Sequence, residues 1–290
     1  MTKIGLQRRA ATPPARLGEL GRPVERVIRP AKRRLRARDV IAMAPIVRTL
    51  AARDFKVKYK QSALGPLWLV FQPLALLAGF LVAFRGLADV TTGVPYTAFA
   101  LVGLTVWSFF QASMTIGTAS VITNMNYVRF TPCPRPAFPI AAVIASLPSF
   151  AVTAFGALLA AGVTGSLSPR AVLMPLGLVW LFVLTLGVVA ISSAVSVRYR
   201  DINSALPFLL QVGVFLAPVG YPLADLSETV RIIVDLNPLT GVMEAFRWMM
   251  LSGYQPSVEP ILVAAVGTVC LAVAGWRFFS RRETTMADDI

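Results

Sequence analysis

Residues 53–84 read RDFKVKYKQSALGPLWLVFQPLALLAGFLVAF, and this stretch joins a dense basic run to a long uncharged one. The basic run ends at Lys60, and no charged residue follows until Arg85. As a helix at ~1.5 Å per residue, residues 61–84 extend about 36 Å, whereas the hydrocarbon core of a bilayer is ~30 Å thick. The stretch therefore predicts a membrane-spanning helix that is preceded by a positively charged segment.

The basic segment has two sides when it is drawn as a helix with a step of ~100° per residue. The apolar half contains Ile46, Val47, Leu50, Ala51, Phe55 and Val57. The basic residues of the segment are Arg48, Arg53, Lys56, Lys58 and Lys60. We expect residues 44–60 to form an amphipathic helix in the membrane interface. The alternative is an ordinary basic segment that is attracted to anionic lipid.

The residues RDFKVKYKQSALGPLW, followed by FQPL, resemble the start of the membrane subunits of type-2 ABC exporters. These exporters move O-antigen, capsule, teichoic acid and galactan polysaccharides, and the resemblance covers the chain from about residue 44 onward. It implies a homodimer of this chain, two copies of a separate ABC ATPase subunit that binds ATP and Mg, and a lipid-linked glycan substrate. It also implies a multi-pass protein of the bacterial inner membrane, in contact with membrane lipids.

The composition independently indicates an integral membrane protein. Of 290 residues, 56% are hydrophobic and 14% are charged, and apolar runs longer than 18 residues recur. The net charge of +14 is concentrated near the start, since 17 of the 28 Lys and Arg residues lie in residues 1–60. Next to a membrane span, such charge indicates topology rather than a nucleic-acid partner, so we expect no nucleic acid.

Six segments are long and apolar enough to cross the membrane. They are residues 64–84, 94–122, 136–163, 171–197, 202–223 and 258–276. Six spans put both termini on one side, and the connections on that side are richer in arginine, which predicts cytoplasmic termini. The fifth segment contains three prolines and is expected to be kinked. The expected fold is therefore all-α with six transmembrane helices.

Residues 1–40 have a different composition from the rest of the chain. They contain four prolines and, before residue 37, eleven Lys and Arg residues, with no sustained apolar period. This composition predicts a mostly disordered cytoplasmic tail.

Two short connections on the predicted cytoplasmic side are candidates for contact with the ATPase. The first, residues 124–136, reads NMNYVRFTPCPRP, and we expect a short helix at its start with its arginines facing the cytoplasm. The charged candidates in the two connections are Arg129, Arg135, Arg198, Arg200 and Asp201. The resemblance implies that they couple the spans to the ATPase. Arginines in such loops otherwise serve as simple topology anchors.

The segment between the last two spans is too long for a turn and too apolar for a free loop. Asn237 followed by Pro238 predicts the start of a helix, and Gly253 predicts its end. A helix of about 15 residues is ~22 Å long, which is too short to cross the core. With an amphipathic piece before it, this helix predicts a re-entrant gate hairpin over residues 224–253. The alternative is a loop that lies flat on the membrane.

Glu244 and Arg247 lie three residues apart in this short helix and therefore share one face. An unpaired charge in the core costs ~2–3 kcal/mol, so a partner is expected for each. The two side chains either neutralise each other or reach the second copy of the chain. Together with Asn237 they are the candidate gate residues.

Side chains that could line a sugar channel are the large polar and aromatic ones within the spans. Glutamines in hydrocarbon need a partner, which they find across helices or in a water-lined path. Aromatic rings can stack on sugar rings, although Trp and Phe near span ends also form the ordinary interfacial belt. The candidates are Trp68, Phe71, Gln72, Phe80, Phe84 and Gln111.

Residues typical of catalysis are scarce. The chain has no His and only two Cys, which are far apart, and no Lys follows a Gly as in a Walker A site. We expect no enzyme activity, no metal and no cofactor in this chain, so the ATPase is a separate polypeptide.

The preferred function is the permease subunit of an ATP-driven exporter of a lipid-linked polysaccharide in cell-envelope biogenesis. The alternative is an exporter of the same fold for small lipophilic compounds. An ion-coupled transporter or membrane enzyme normally carries charges at mid-span, and the uncharged spans argue against it.

Overall fold

A computed structural model describes residues 37–60, 62–87, 92–130 and 133–283 of the chain. Within these residues the structure is helical and contains no β-strand, apart from one isolated bridge between Leu167 and Leu251. The all-α class predicted from the sequence is confirmed. Most of the tail predicted to be disordered, residues 1–40, lies outside the described residues.

The helices follow one another with short connections. In chain order they are α1 (Ala37–Tyr59), α2 (Trp68–Phe80), α3 (Tyr96–Thr123), α4 (Met125–Phe130), α5 (Ala137–Ala145), α6 (Leu147–Val163), α7 (Met174–Arg198), α8 (Asp201–Leu216), α9 (Glu228–Asp235), α10 (Pro238–Met250) and α11 (Val258–Arg282). Short 3-10 helices occur at Gly65–Leu67, Pro169–Leu173 and Leu223–Asp225, and a π-helical stretch at Leu81–Leu87 continues α2.

Five helical segments of the described residues are long and apolar enough to cross a membrane. They are Gly65–Phe84, Tyr96–Thr123, Ala137–Val163, Pro169–Arg198 and Val258–Arg282. The fifth segment predicted from the sequence differs, because its helix α8 has only 16 residues, or about 24 Å. Residues 217–222 continue it without helical structure, since Pro218 cannot extend the hydrogen-bonding pattern of α8.

α3 is the centre of the bundle and packs against α5, α6, α7 and α10. In its most apolar window 67% of the residues are buried, compared with 17% in the first span. α7 and α11 cross closely at Gly187 and Gly275, where a Cβ atom on Gly275 would lie 2.3 Å from the carbonyl oxygen of Gly187. Glycine allows this close backbone approach, as at many helix crossings in membranes.

α10 lies inside the bundle although it is too short to span a membrane. It has 13 residues, about 20 Å, and packs against α3, α7 and α11. From Leu239 to Met250, only Trp248 is not fully buried. A helix that lies flat on a surface exposes one side, and α10 has no such side.

Candidate functional site

The non-helical segment after α8 creates a need for hydrogen-bond donors. Residues 217–220 are buried but not helical, so the carbonyl groups of Pro218 and Val219 are not paired within a helix. Buried backbone carbonyls in native proteins are almost always paired. The partner here is a side chain from α10.

Arg247 supplies these donors. Its Nη2 donates to the carbonyl oxygens of Pro218 and Val219, the latter at 3.0 Å. The guanidinium carbon lies 3.6 Å from the centre of the Phe99 ring on α3, which is within the range of a cation–π interaction. Gly103 leaves the necessary space, because a Cβ atom there would lie 2.6 Å from the Val219 oxygen and 3.1 Å from Nη2 of Arg247.

Glu244 neutralises Arg247 and has further partners of its own. Its Oε1 accepts from Nη1 of Arg247 at 3.1 Å and from the Tyr254 hydroxyl at 2.7 Å. Its Oε2 accepts from the backbone N–H of Ser257 at 3.2 Å. The Arg247 and Glu244 side chains are 0% and 2% exposed. The pair therefore lies fully inside one chain and connects α10 to α3, to the end of α8 and to the segment before α11.

We call Phe99, Glu244, Arg247 and Tyr254, with the two carbonyls, the Arg247 cluster. Nε of Arg247 is buried and has no hydrogen-bond partner among the described residues. The Arg247 cluster can fix the path of residues 217–222, but its groups are not arranged for a catalytic step. Within the described residues, no group of three or more His, Cys, Asp or Glu side chains could bind a metal ion.

Asn237 begins α10 as the sequence predicts. Its side-chain oxygen accepts from the backbone N–H of Leu239 at 3.0 Å, and Pro238 is the first helical residue. The helix ends at Met250, and Gly253 follows with φ +82°. The short amphipathic piece before it is α9, in which Arg231 pairs with Asp235 at 3.4 Å.

Two of the aromatic candidates lie beside the non-helical segment after α8. The Phe80 ring lies 5.6 Å from Phe84 and 6.1 Å from Phe215 of α8, and Phe84 lies 5.8 Å from Tyr221. The Tyr96 hydroxyl donates to the Gly220 carbonyl at 2.7 Å. These contacts pack the first span against the non-helical segment, so Phe80 and Phe84 are part of a protein interior in the single chain.

The remaining channel candidates do not cluster with Phe80 and Phe84. Trp68, Phe71 and Gln72 are exposed on α2. Gln111 is half-buried on α3. The exposed face of α2 remains available to lipid, substrate or a second chain.

At the opposite end of α3, about 37 Å from Phe99, α1 is attached to the bundle. The apolar face of α1 packs on α5 and neighbouring helices through Met43, Val47, Leu50 and Ala51.

Arg53 bonds to Asp54 at 2.7 Å and donates to the side chain of Asn124 at 2.6 Å. Asn124 in turn donates to the Ser120 carbonyl at 2.7 Å. Lys56, Lys58 and Lys60 are exposed.

The two predicted coupling connections lie at this same end and differ in exposure. Arg198, Arg200 and Asp201 are exposed between α7 and α8. Arg135 was expected at the surface, but its side chain is only 7% exposed. The Glu283 carboxyl, directly after α11, lies near Arg135 and accepts a hydrogen bond from its backbone. Burial raises the pKa of Glu283, and Arg135 opposes that shift. α4 carries Arg129, whose side chain lies outside the described residues.

Several residues of these sites were not anticipated from the sequence. Tyr254 directly follows Gly253. A chain that reverses at a glycine returns beside the helix it has left, so this position could have indicated that Tyr254 contacts α10. Phe99 and Gly103 appeared only as members of an apolar run. Asn124 directly follows α3, where an amide side chain commonly bonds to the helix end.

Comparison with known proteins gives a consistent result. Residues 46–251 match the family model described as ABC-2 type transporter. The chain is 27% identical over 252 residues to the O-antigen export system permease protein RfbA of Myxococcus xanthus, covering 85% of this chain and 96% of that protein. It is 27% identical to a Klebsiella pneumoniae protein of the same name, with 81% and 91% covered. It is 26% identical to the polysialic acid transport protein KpsM of Escherichia coli, with 83% and 94% covered.

Proposed function

Since the chain belongs to the ABC-2 type transporter family, we propose that it is the permease subunit of an ATP-driven polysaccharide exporter. The family consists of membrane subunits of transporters, which are not themselves catalytic. The observation that carries the proposal is the match to two O-antigen export permeases and a polysialic acid transport protein over more than nine-tenths of their length. Their names refer to polysaccharides, which favours a glycan over a small lipophilic compound.

The substrate of the proposed transporter is a lipid-linked polysaccharide that crosses the bacterial inner membrane. The chain is a multi-pass membrane protein, and the arginine-rich connections support cytoplasmic termini. A partner ATPase, present in two copies, supplies hydrolysis of ATP with Mg. This assignment agrees with a chain that lacks a Walker A pattern.

Two copies of the chain form the path for the glycan in this proposal. The first span is the least buried of the five membrane-length segments in a single chain. The exposed face of α2, with Trp68, Phe71 and Gln72, is suited to line a path between two copies. Phe80 and Phe84 then lie on the side of the first span that faces away from the path, because they pack on Phe215 and Tyr221.

The coupling surface lies at the end of the bundle where α3 ends. Arg198, Arg200 and Asp201 are exposed there and can contact an ATPase directly. Arg135 is buried beside Glu283, so its role is to hold the end of α11. The Arg53–Asn124 hydrogen bond connects α1 to the start of α4 and can transmit a displacement between them.

In this proposal the gate lies at the other end and consists of α9 and α10, which form a re-entrant pair. Burial of α10 on all sides supports this assignment. The ion pair of Glu244 and Arg247 closes within one chain, so each copy stabilises its own gate. Opening then moves α10 together with residues 217–222, since the Arg247 cluster joins them.

The experiment is depletion of the chain in its native bacterium, followed by extraction of lipid-linked glycans. We expect one lipid-linked polysaccharide to accumulate inside the cell and to disappear from the surface. Re-expression of the wild-type chain restores export, whereas a variant with Arg198 and Arg200 replaced by Ala inserts into the membrane but restores export only in part. Normal surface glycans after complete depletion would contradict the proposed substrate.

A further inference from the structure

An apolar groove with one cation lies between α1 and the junction of α5 with α6. Its volume is about 420 Å³, which is within the usual range of ligand sites. Its α1 wall is formed by residues three or four apart, which share one face of the helix. The lining residues are Ala44, Val47, Arg48, Ala51, Ala52, Phe55, Ile144, Ala145 and Pro148.

The groove has a structural cause. α5 ends at Ala145, and α6 begins at Leu147 with Pro148 next to it, so the wall opposite α1 is interrupted. Four of the lining residues are alanines, whose short side chains do not fill the gap. α1 packs on α5 beside this gap through buried residues outside the lining, for example Met43 and Leu50.

Arg48 is the one charged residue of the lining and it is exposed. It makes no ion pair or side-chain hydrogen bond with a described residue. Asp54 is the nearest acidic residue along α1, and its Oδ1 pairs with Nη2 of Arg53 at 2.7 Å. Arg48 is thus a guanidinium at the edge of an apolar groove, available for an external anion.

We propose that this groove binds an anionic phospholipid, with an acyl chain against the alanines and the phosphate on Arg48. The proposal rests on the interfacial position of α1 within the proposed exporter. Charge complementarity selects the occupant, because guanidinium groups bind phosphate in a bidentate manner and membrane leaflets rich in anionic lipid attract basic segments. The bound lipid fills the gap between α1 and the α5–α6 junction and fixes the attachment of α1.

The test uses the purified full-length chain in detergent, titrated with phosphatidylglycerol or phosphatidylcholine and observed by native mass spectrometry. We expect one lipid per chain to bind with preference for phosphatidylglycerol. Arg48→Gln should weaken phosphatidylglycerol binding about fivefold and leave phosphatidylcholine binding unchanged. Ala52→Leu fills the groove and should weaken both lipids.

Two controls make the result specific. Lys56→Gln removes another exposed charge of α1 that lies outside the groove, and Ala75→Leu adds the same bulk to an exposed position on α2. Both should bind lipid as the wild type does. Equal losses in Arg48→Gln and Lys56→Gln would mean general electrostatic attraction and overturn the site. Displacement of the phospholipid by equimolar polyprenyl phosphate would overturn the proposed occupant. Either outcome leaves the polysaccharide assignment intact, because that is tested by the glycans of a depleted strain.

Discussion

Arg247→Met is expected to destabilise the chain strongly, because it removes the donor to two buried carbonyl groups and the counter-ion of Glu244. Breaking a buried ion pair by removing one partner costs about 3–5 kcal/mol. In this variant the Glu244 carboxylate still accepts from the hydroxyl of Tyr254 and the N–H of Ser257. These two hydrogen bonds limit the loss of stability. The expected decrease in the free energy of unfolding is therefore near the lower end, about 3 kcal/mol.

Glu244→Gln should cost less, about 2 kcal/mol, since an amide oxygen still accepts from Tyr254 while the charged hydrogen bond is weakened. Arg247 also keeps both carbonyls and the Phe99 ring in this variant. The double variant leaves no uncompensated charge. Its cost should therefore be lower than the sum of the single costs by about 1–2 kcal/mol, a coupling typical of residues in direct contact.

The measurement is unfolding of the purified chain in mixed micelles with increasing SDS, followed by tryptophan fluorescence. Arg231→Met is the matched control, because Arg231 pairs with Asp235 and Glu259 but is 38% exposed. A partly exposed pair contributes up to about 1 kcal/mol, so the control should change stability little. If Arg247→Met costs no more than Arg231→Met, the buried cluster does not hold the segment after α8.

Three further predictions follow from other parts of the structure. Gly275→Ala places a Cβ atom 2.3 Å from a carbonyl oxygen of α7 and should cost about 1–3 kcal/mol in the same unfolding assay, whereas Gly156→Ala, with no atom within 4 Å, should cost nothing. Arg198→Ala combined with Arg200→Ala should reduce glycan export in cells while ATPase activity of the complex persists; unchanged export would make both arginines topology anchors. Glu244→Ala should raise the leak of a small hydrophilic reporter from vesicles containing the resting complex, and an unchanged leak at normal expression would place the seal elsewhere.

Local sequence patterns were sufficient for the elements of this protein whose structure depends on neighbouring residues. Five of the six long uncharged runs correspond to membrane-length helices, because helix length and hydrophobicity are properties of a continuous segment. Asn237 and Pro238 start α10 where predicted, since capping involves groups only a few residues apart. The spacing of Glu244 and Arg247 correctly indicated that the two could pair within one helix.

Tertiary structure decided what these elements contact. Pro218 marked a kink in the sequence, but only the fold shows that α8 ends there and that Arg247, 29 residues later, satisfies the freed carbonyl. Arg135 looks like any loop arginine until the end of α11 is packed over it. Sequence alone therefore determined the membrane class, the helices and the family resemblance. Burial and long-range pairing arise from the packing of distant segments, which no local pattern encodes, and they decided which charges hold the bundle together and which remain free for a partner.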